Sequence, residues 1–202
     1  RSWKLGDIFH SNAVIVGEPS RFFADLGYSG VGGFYEINKR RTKVVIVGAN
    51  DGMLHAFHAG NWIESEGKHD NGTGEEVWAF IPNPLLQNLK LMASTHTYHV
   101  DGSPKVSDVW FYSDSNPSGK TKSQDEWKTV LISGLRKGGK HYFALDITNT
   151  LDPQYLWEFP SPNKNYVYED ILAILGQSWS DPVIGRVRIG DEFHERWVAF
   201  IG

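Results

Sequence analysis

Residues Lys43 to Ala59 read KVVIVGANDGMLHAFHA. Val44 to Val47 form an apolar run that enters Gly48, the polar corner Asn50-Asp51-Gly52 follows, and Met53 to Phe57 is largely apolar again. Two apolar runs around an Asp-Gly corner predict a tight β-hairpin, because glycine admits the backbone angles that a short turn demands. The pattern recurs downstream. From Thr129 the chain reads TVLISGLRKGGKHYFALDI, with Gly134 in the place of Gly48, Gly138-Gly139 as the corner and Ala144 in the place of Ala56. A third copy opens at Trp197 with WVAFIG and reaches its glycine at Gly202.

Each copy follows the same short signal. Ser11-Asn12-Ala13-Val14, Ser103-Pro104-Lys105-Val106 and Ser180-Asp181-Pro182-Val183 precede the three hairpin copies, and the first two hairpins are followed by the Trp-bearing strands EEVWAFIP (Glu75 to Pro82) and YLWEFP (Tyr155 to Pro160). One S-x-x-V strand, one hairpin and one Trp strand make four strands per repeat, the composition of a β-propeller blade. The fold class predicted is therefore all-β, a partial β-propeller with quinoprotein-like blades. Residues 1–202 form one domain in this reading. Blade 1 runs over about 8–82, blade 2 over about 98–160, and the start of blade 3 over about 177–202, so about two and a half blades are present. Propellers close with about 4 to 8 blades, so the remainder is expected outside this sequence or from another chain. A start at Arg1-Ser2-Trp3 and an end inside a repeat predict a piece of a longer protein. S-x-x-V suits the crowded inner strand, whereas Trp78 and Trp157 are predicted to pack between blades and Gly48 and Gly134 to permit close approach there.

Composition agrees with an all-β protein: aromatic content is 13% and glycine is present 21 times. A net charge of −4 gives no electrostatic reason to expect nucleic acid or an anionic membrane. The absence of cysteine excludes disulfide staples and thiolate metal sites. No apolar run approaches the roughly 20 residues that span a bilayer.

The connections carry the remaining expectations. Pro84 to Met92 has leucines at helical spacing, Asp170 to Leu175 reads as one short helical turn, and Asn61 to Gly74 lengthens the turn before the Trp78 strand. Arg21 to Arg41 is aromatic and rich in glycine and predicts a flap or an extra hairpin. Phe22, Phe23, Tyr28, Phe34 and Tyr35 within it are the candidate partner contacts, the alternative being a loop folded over the propeller rim.

Chemistry-bearing patterns are few. His55 with His58 and His96 with His99 are spaced by three, which puts each pair on opposite faces of a strand and argues against a shared metal. Asp114 to Asp125 (DSNPSGKTKSQD) places Asp114, Asn116, Ser118 and Asp125 at calcium-loop spacing, but Pro117, Lys120 and Lys122 oppose a cation there. Asp51 and Asp101 read as turn carboxylates that accept backbone N–H groups. No nucleophile is accompanied by a base, so no catalytic residue is assigned and an enzyme is not expected. Ala56-Phe57-His58-Ala59 with Thr73-Gly74 and Trp78, and Ala144-Leu145-Asp146-Ile147-Thr148 with Trp157, resemble the A-x-D-x-x-T-G-x-x-x-W blade motif of pyrroloquinoline-quinone dehydrogenases. In that family the motif docks blades together and does not bind the cofactor, so no cofactor site is expected within this segment.

The blocks WKLGDIFHSNAVIVGEPS, VVIVGANDGMLHAF, EEVWAFIPNPLL, YHVDGSPKVSDVW, KTVLISGLRKGGKHYFALDIT, LWEF and LGQSWSDPVIGRV follow one another between Trp3 and Val187. In that order they resemble the C-terminal β-propeller of the PilC/PilY-type proteins of bacterial type IV pili, and the resemblance covers nearly the whole chain. It implies an exported protein at the pilus tip, outer membrane or cell surface, in the periplasm only in transit. It further implies a pilus biogenesis factor and adhesin that supports assembly, extension, retraction, surface attachment and twitching motility. The partners implied are pilins and minor pilins, a host or abiotic surface, and the remaining blades of the parent chain. Calcium is implied too, in an Asp-rich loop of the parent downstream of Gly202. The chain departs from the pattern at His58, where Asp is usual, and in the insertion Gly60 to Gly72. The rival readings are a quinoprotein dehydrogenase and a general envelope interaction propeller.

Overall fold

The computed structural model describes residues 5–20, 23–91, 96–111, 121–162, 168–189 and 194–202. The first sheet is built from β1 (Val14–Val16), β2 (Lys43–Gly48) and β3 (Leu54–Gly60), then, beyond a small hairpin of β4 (Trp62–Ile63) and β5 (Lys68–His69), from β6 (Glu76–Phe80). Its strands lie in the order β1-β2-β3-β6, all antiparallel. The second sheet repeats that order with β7 (Lys105–Trp110), β8 (Trp127–Gly134), β9 (Tyr142–Asp146) and β10 (Gln154–Phe159). A third, two-stranded sheet pairs β11 (Val183–Ile189) with β12 (His194–Phe200).

The two four-stranded sheets share one register. In the first, Ile46 pairs with Ala56 and Ala56 with Trp78; in the second, Ile132 pairs with Ala144 and Ala144 with Trp157. A small residue in the middle of each row leaves room for the indole beside it. The chain is thus all-β in its sheets and propeller-like in its strand order, and the sheets do not close into a ring.

The central sheet is buried on both faces, which explains why Val130 to Ile132 is apolar without alternation. Leu131, Phe143, Leu145 and Ile147 pack with Val44, Ile46, Leu54 and Ala56 of the first sheet. Val130, Ile132 and Ala144 point the other way, where Ile184, Trp197 and Ala199 of the third sheet lie against them. The alternation of side chains along a strand assigns one set to each neighbour.

Helical structure is confined to connections. The predicted helix at Pro84 to Met92 is a 3-10 helix over Asn83–Leu91, and the turn predicted at Asp170 to Leu175 is α2 (Tyr168–Ile174), following α1 (Phe34–Asn38). The 61–74 insertion carries the β4–β5 hairpin. The 21–41 connection holds α1 and glycine turns, and among its described residues there is no extra hairpin. Gly27, at φ +70°, lies so close to Ser123 that a Cβ would sit 2.5 Å from the Ser123 carbonyl carbon, which clamps this loop onto the second sheet. Among the described residues no helix is long and apolar enough to cross a membrane.

Candidate functional site

Because the strands run up and down, the β2–β3 and β8–β9 corners and the segments leading into β1, β7 and β11 all leave at one end of the sheets. Histidines and carboxylates meet there. His55 is 3% exposed and lies 3.0 Å from Asp51 and 2.8 Å from Glu76. Burial works against its imidazolium, but the two carboxylates outweigh burial and hold His55 above the ordinary histidine range. Asp51 is correspondingly held low: burial opposes its charge, and His55 with the Gly6 and Met53 N–H groups more than compensates. Asp101, 1% exposed, accepts the His10 backbone N–H at 3.2 Å and meets the His10 ring at 2.7 Å. Asp7 accepts from the Asn50 amide at 2.8 Å and from His96 at 2.7 Å, and Asn50 accepts the His99 N–H at 3.1 Å. These contacts fasten the segment before β1 to the first corner and to the segment before β7.

At the opposite end a second polar cluster joins the two large sheets. Asp108 of β7 accepts from the Thr129 hydroxyl at 2.6 Å, from the Ser20 N–H at 2.7 Å and from the Tyr28 phenol at 2.6 Å, which also lies against the Ser20 carbonyl. Burial and then Asp108 push the Tyr28 phenol far above its usual range, so it stays a donor. The Arg41 guanidinium donates to the Thr129 hydroxyl at 2.8 Å, to the Thr148 carbonyl at 3.1 Å and to the Gly17 carbonyl. Burial lowers the Arg41 value, opposed by Asp108, Tyr28 and Asp146. A fork with divergent donors is the side chain that can reach three acceptors on two sheets at once.

The residues singled out in the sequence fall as follows. Trp78 packs on the core between the first and second sheets, and Trp157 on the core between the second and third. A Cβ on Gly48 would lie 2.2 Å from the Val100 carbonyl oxygen, and one on Gly134 would lie 2.8 Å from the Tyr142 ring and 3.0 Å from the Ser178 carbonyl oxygen. Tyr28 and Phe34 are corrected: at 1% and 2% exposure they are not surface contacts but form a buried aromatic cluster with Trp110 and Trp127. Phe23 and Tyr35 are half-buried against the same cluster. The physical reason is that the loop folds over the rim and buries its rings there, the arrangement of lower free energy for large apolar surfaces in water. Phe22 lies outside the described residues, as do Asp114, Asn116 and Ser118, whereas Asp125 sits exposed in a one-turn 3-10 helix over Gln124–Glu126.

His58 has an evident structural role. In the second sheet Asp146 accepts the Thr148 N–H at 2.8 Å; in the first, the His58 ring nitrogen Nδ1 accepts the Thr73 N–H at 3.0 Å, across the insertion. Histidine thus replaces aspartate as the acceptor, through an Nδ1 that stands as far along the side chain as a carboxylate oxygen would. What the sequence did not reveal is the pairing of His55 with two carboxylates and of His10 with Asp101. The HSNAV and HVDGSP blocks that bring the latter pair together are far apart in the chain. Chemically, both clusters cross-link chain segments. Among the described residues no group of three or more His, Cys, Asp or Glu is arranged to hold a metal ion.

The family model of the PilY1 beta-propeller domain matches residues 5–202. The type IV pilus biogenesis factor PilY1 of Pseudomonas aeruginosa strain PAK is 33% identical over 216 residues, which cover 98% of this chain and 15% of the relative. A PilY1 homolog of Xylella fastidiosa strain Temecula1 is 31% identical over 211 residues, covering 100% of this chain and 14% of the relative. The crystal structure of the Pseudomonas aeruginosa PilY1 C-terminal domain superposes with a TM-score of 0.56 at 31% identity, over 92% of this chain and 30% of that one. The chain therefore spans a small part of the length of the relatives it matches.

Proposed function

Since the chain belongs to the PilY1 β-propeller family, we propose that it is a non-enzymatic binding platform within an exported type IV pilus biogenesis factor, working at the pilus tip or cell surface. Pilins or minor pilins are the partners in this reading, with attachment to a host or abiotic surface as its second output, and extension, retraction and twitching as the processes served. The observation that carries it is the use made of the buried ionisable groups. Arg41, Asp108, Asp101 and His55 each join chain segments that are distant in sequence, so their charge supports rigidity and not bond-making. A rigid seam suits a domain that must transmit pulling force.

The test is an in-frame deletion of this domain from the full-length parent, with secretion of the shortened protein verified by immunoblot. Loss of surface pili and of twitching while secretion persists is the expected result. Normal piliation and twitching in secreting cells would overturn the reading.

A further inference from the structure

On the end of the sheets that carries the corners, a continuous strip of rings and cations remains after the paired histidines and carboxylates are accounted for. Phe9, 64% exposed, stands against Tyr98 with ring centroids 5.6 Å apart. The Lys137 ammonium lies 4.5 Å from the Tyr98 centroid, and the Arg136 guanidinium carbon lies 5.1 Å from the centroid of Trp179, which is 47% exposed. Phe9, Tyr98, Lys137, Arg136 and Trp179 thus run in order across the first two sheets towards the third.

Three features distinguish this strip from an ordinary surface. Neither Arg136 nor Lys137 has a carboxylate partner among the described residues, in a chain whose net charge is −4. The Arg136 Nε is buried and makes no hydrogen bond, so one donor of the guanidinium is desolvated without compensation. Arg136 is also the one described non-glycine residue with positive φ, +53°, although Gly138 and Gly139 follow close behind. A side chain held in that conformation costs about 1 kcal/mol or more, and such outliers concentrate at functional sites. The corner is held rigidly. The Ser178 hydroxyl accepts the Leu135 and Arg136 N–H groups at 2.9 and 3.0 Å, and a Cβ on Gly138 would lie 1.7 Å from the His99 carbonyl oxygen.

We propose that the Phe9–Tyr98–Lys137–Arg136–Trp179 strip docks a short acidic, aromatic-bearing peptide segment of a protein partner. Each cation is held over a ring and offers its exposed donors to a carboxylate. Phe9 and Trp179 at the two ends supply exposed apolar faces for a partner's ring. A peptide fits better than a long polyanion. The strip offers two cations in a chain whose net charge is −4, so a long, regularly charged polymer would meet repulsion beyond them. The inference deepens the binding-platform reading, and the two fail separately: loss of peptide binding leaves the deletion phenotype untouched.

The test titrates the whole chain, by fluorescence anisotropy at low salt, with a labelled hexapeptide of alternating Asp, Glu and Tyr, against the same peptide with Asn and Gln. The charged peptide is expected to bind at least about tenfold tighter than the neutral one. Lys137→Glu, and independently Arg136→Asn, which tolerates the left-handed backbone, are expected to weaken it about tenfold or more with a melting temperature no lower than that of the wild type. Lys39→Glu just after α1, away from the strip, should leave binding intact. Equal binding of the two peptides, or full binding by the Lys137→Glu and Arg136→Asn proteins, overturns the proposal. Tighter binding of polygalacturonate than of the peptide also overturns it, in favour of an acidic polysaccharide.

Discussion

The indole Nε1 of Trp78, on β6 of the first sheet, donates a 2.8 Å hydrogen bond to the carbonyl of Thr150 in the turn after β9 of the second sheet. Thr150 returns the connection, since its hydroxyl donates to the Thr42 carbonyl at 2.6 Å. The seam between the sheets is therefore polar at its rim and apolar inside.

Trp78→Phe keeps the ring in the seam and deletes the donor, leaving a carbonyl at the rim with one partner fewer. The expected loss is about 1 kcal/mol, against about 3 to 5 kcal/mol for Trp78→Ala. Urea denaturation of the three proteins checks the difference, and equal losses would mean that the hydrogen bond contributes nothing measurable.

Gly48→Ala should destabilise by roughly 1 to 3 kcal/mol, because the new methyl would enter the Val100 carbonyl, which is backbone and cannot swing aside. Gly176→Ala is the control, with nothing within 4 Å of its added Cβ and no strained φ. Thermal melts should separate the two clearly.

His55→Gln gives a pH-dependent loss. The folded value of His55 is raised, so its contribution is complete below the unfolded value of about 6.5 and disappears as pH rises through the folded value. Asp51 is depressed when folded, so its share is present above about 3.9 and is lost as pH falls through its folded value. His99 and His141 are lowered by burial and act with the opposite sign, so the readout is the difference between wild type and variant. That difference should be about 1.5 to 3 kcal/mol near pH 5.5 and shrink on the alkaline side. A difference that is constant with pH would show that His55 is not charged in the folded protein.

Arg41→Lys should behave almost like Arg41→Met. An ammonium has no planar fork with which to reach Gly17, Thr129 and Thr148 together, and either change leaves the buried carboxylate of Asp108 with a poorer environment. Losses of about 3 to 5 kcal/mol are expected for Arg41→Met. Recovery of more than half of that by Lys would mean that charge alone matters at this position.

Several of these features could be read before any fold was known. The Gly48 and Gly134 hairpins were legible because apolar runs and turn glycines are local signals, and the Trp78 and Trp157 strands because they recur in the same order. The role of His58 was not legible, since a histidine in place of an aspartate reads as a departure until Thr73 is seen beside it. Nor could the 21–41 loop be judged from composition. Its rings look exposed in a glycine-rich segment, and only contact with Trp110 and Trp127 buries Tyr28 and Phe34.

By itself, then, the sequence determined the order of strands within the repeat and the family, because these rest on periodicity and on residues a few positions apart. The tertiary structure alone decided which charges are paired and which are free. His10 with Asp101, Tyr28 with Asp108 and Lys137 over Tyr98 each join residues from different segments of the chain, and only the packing of one sheet on the next brings them within reach.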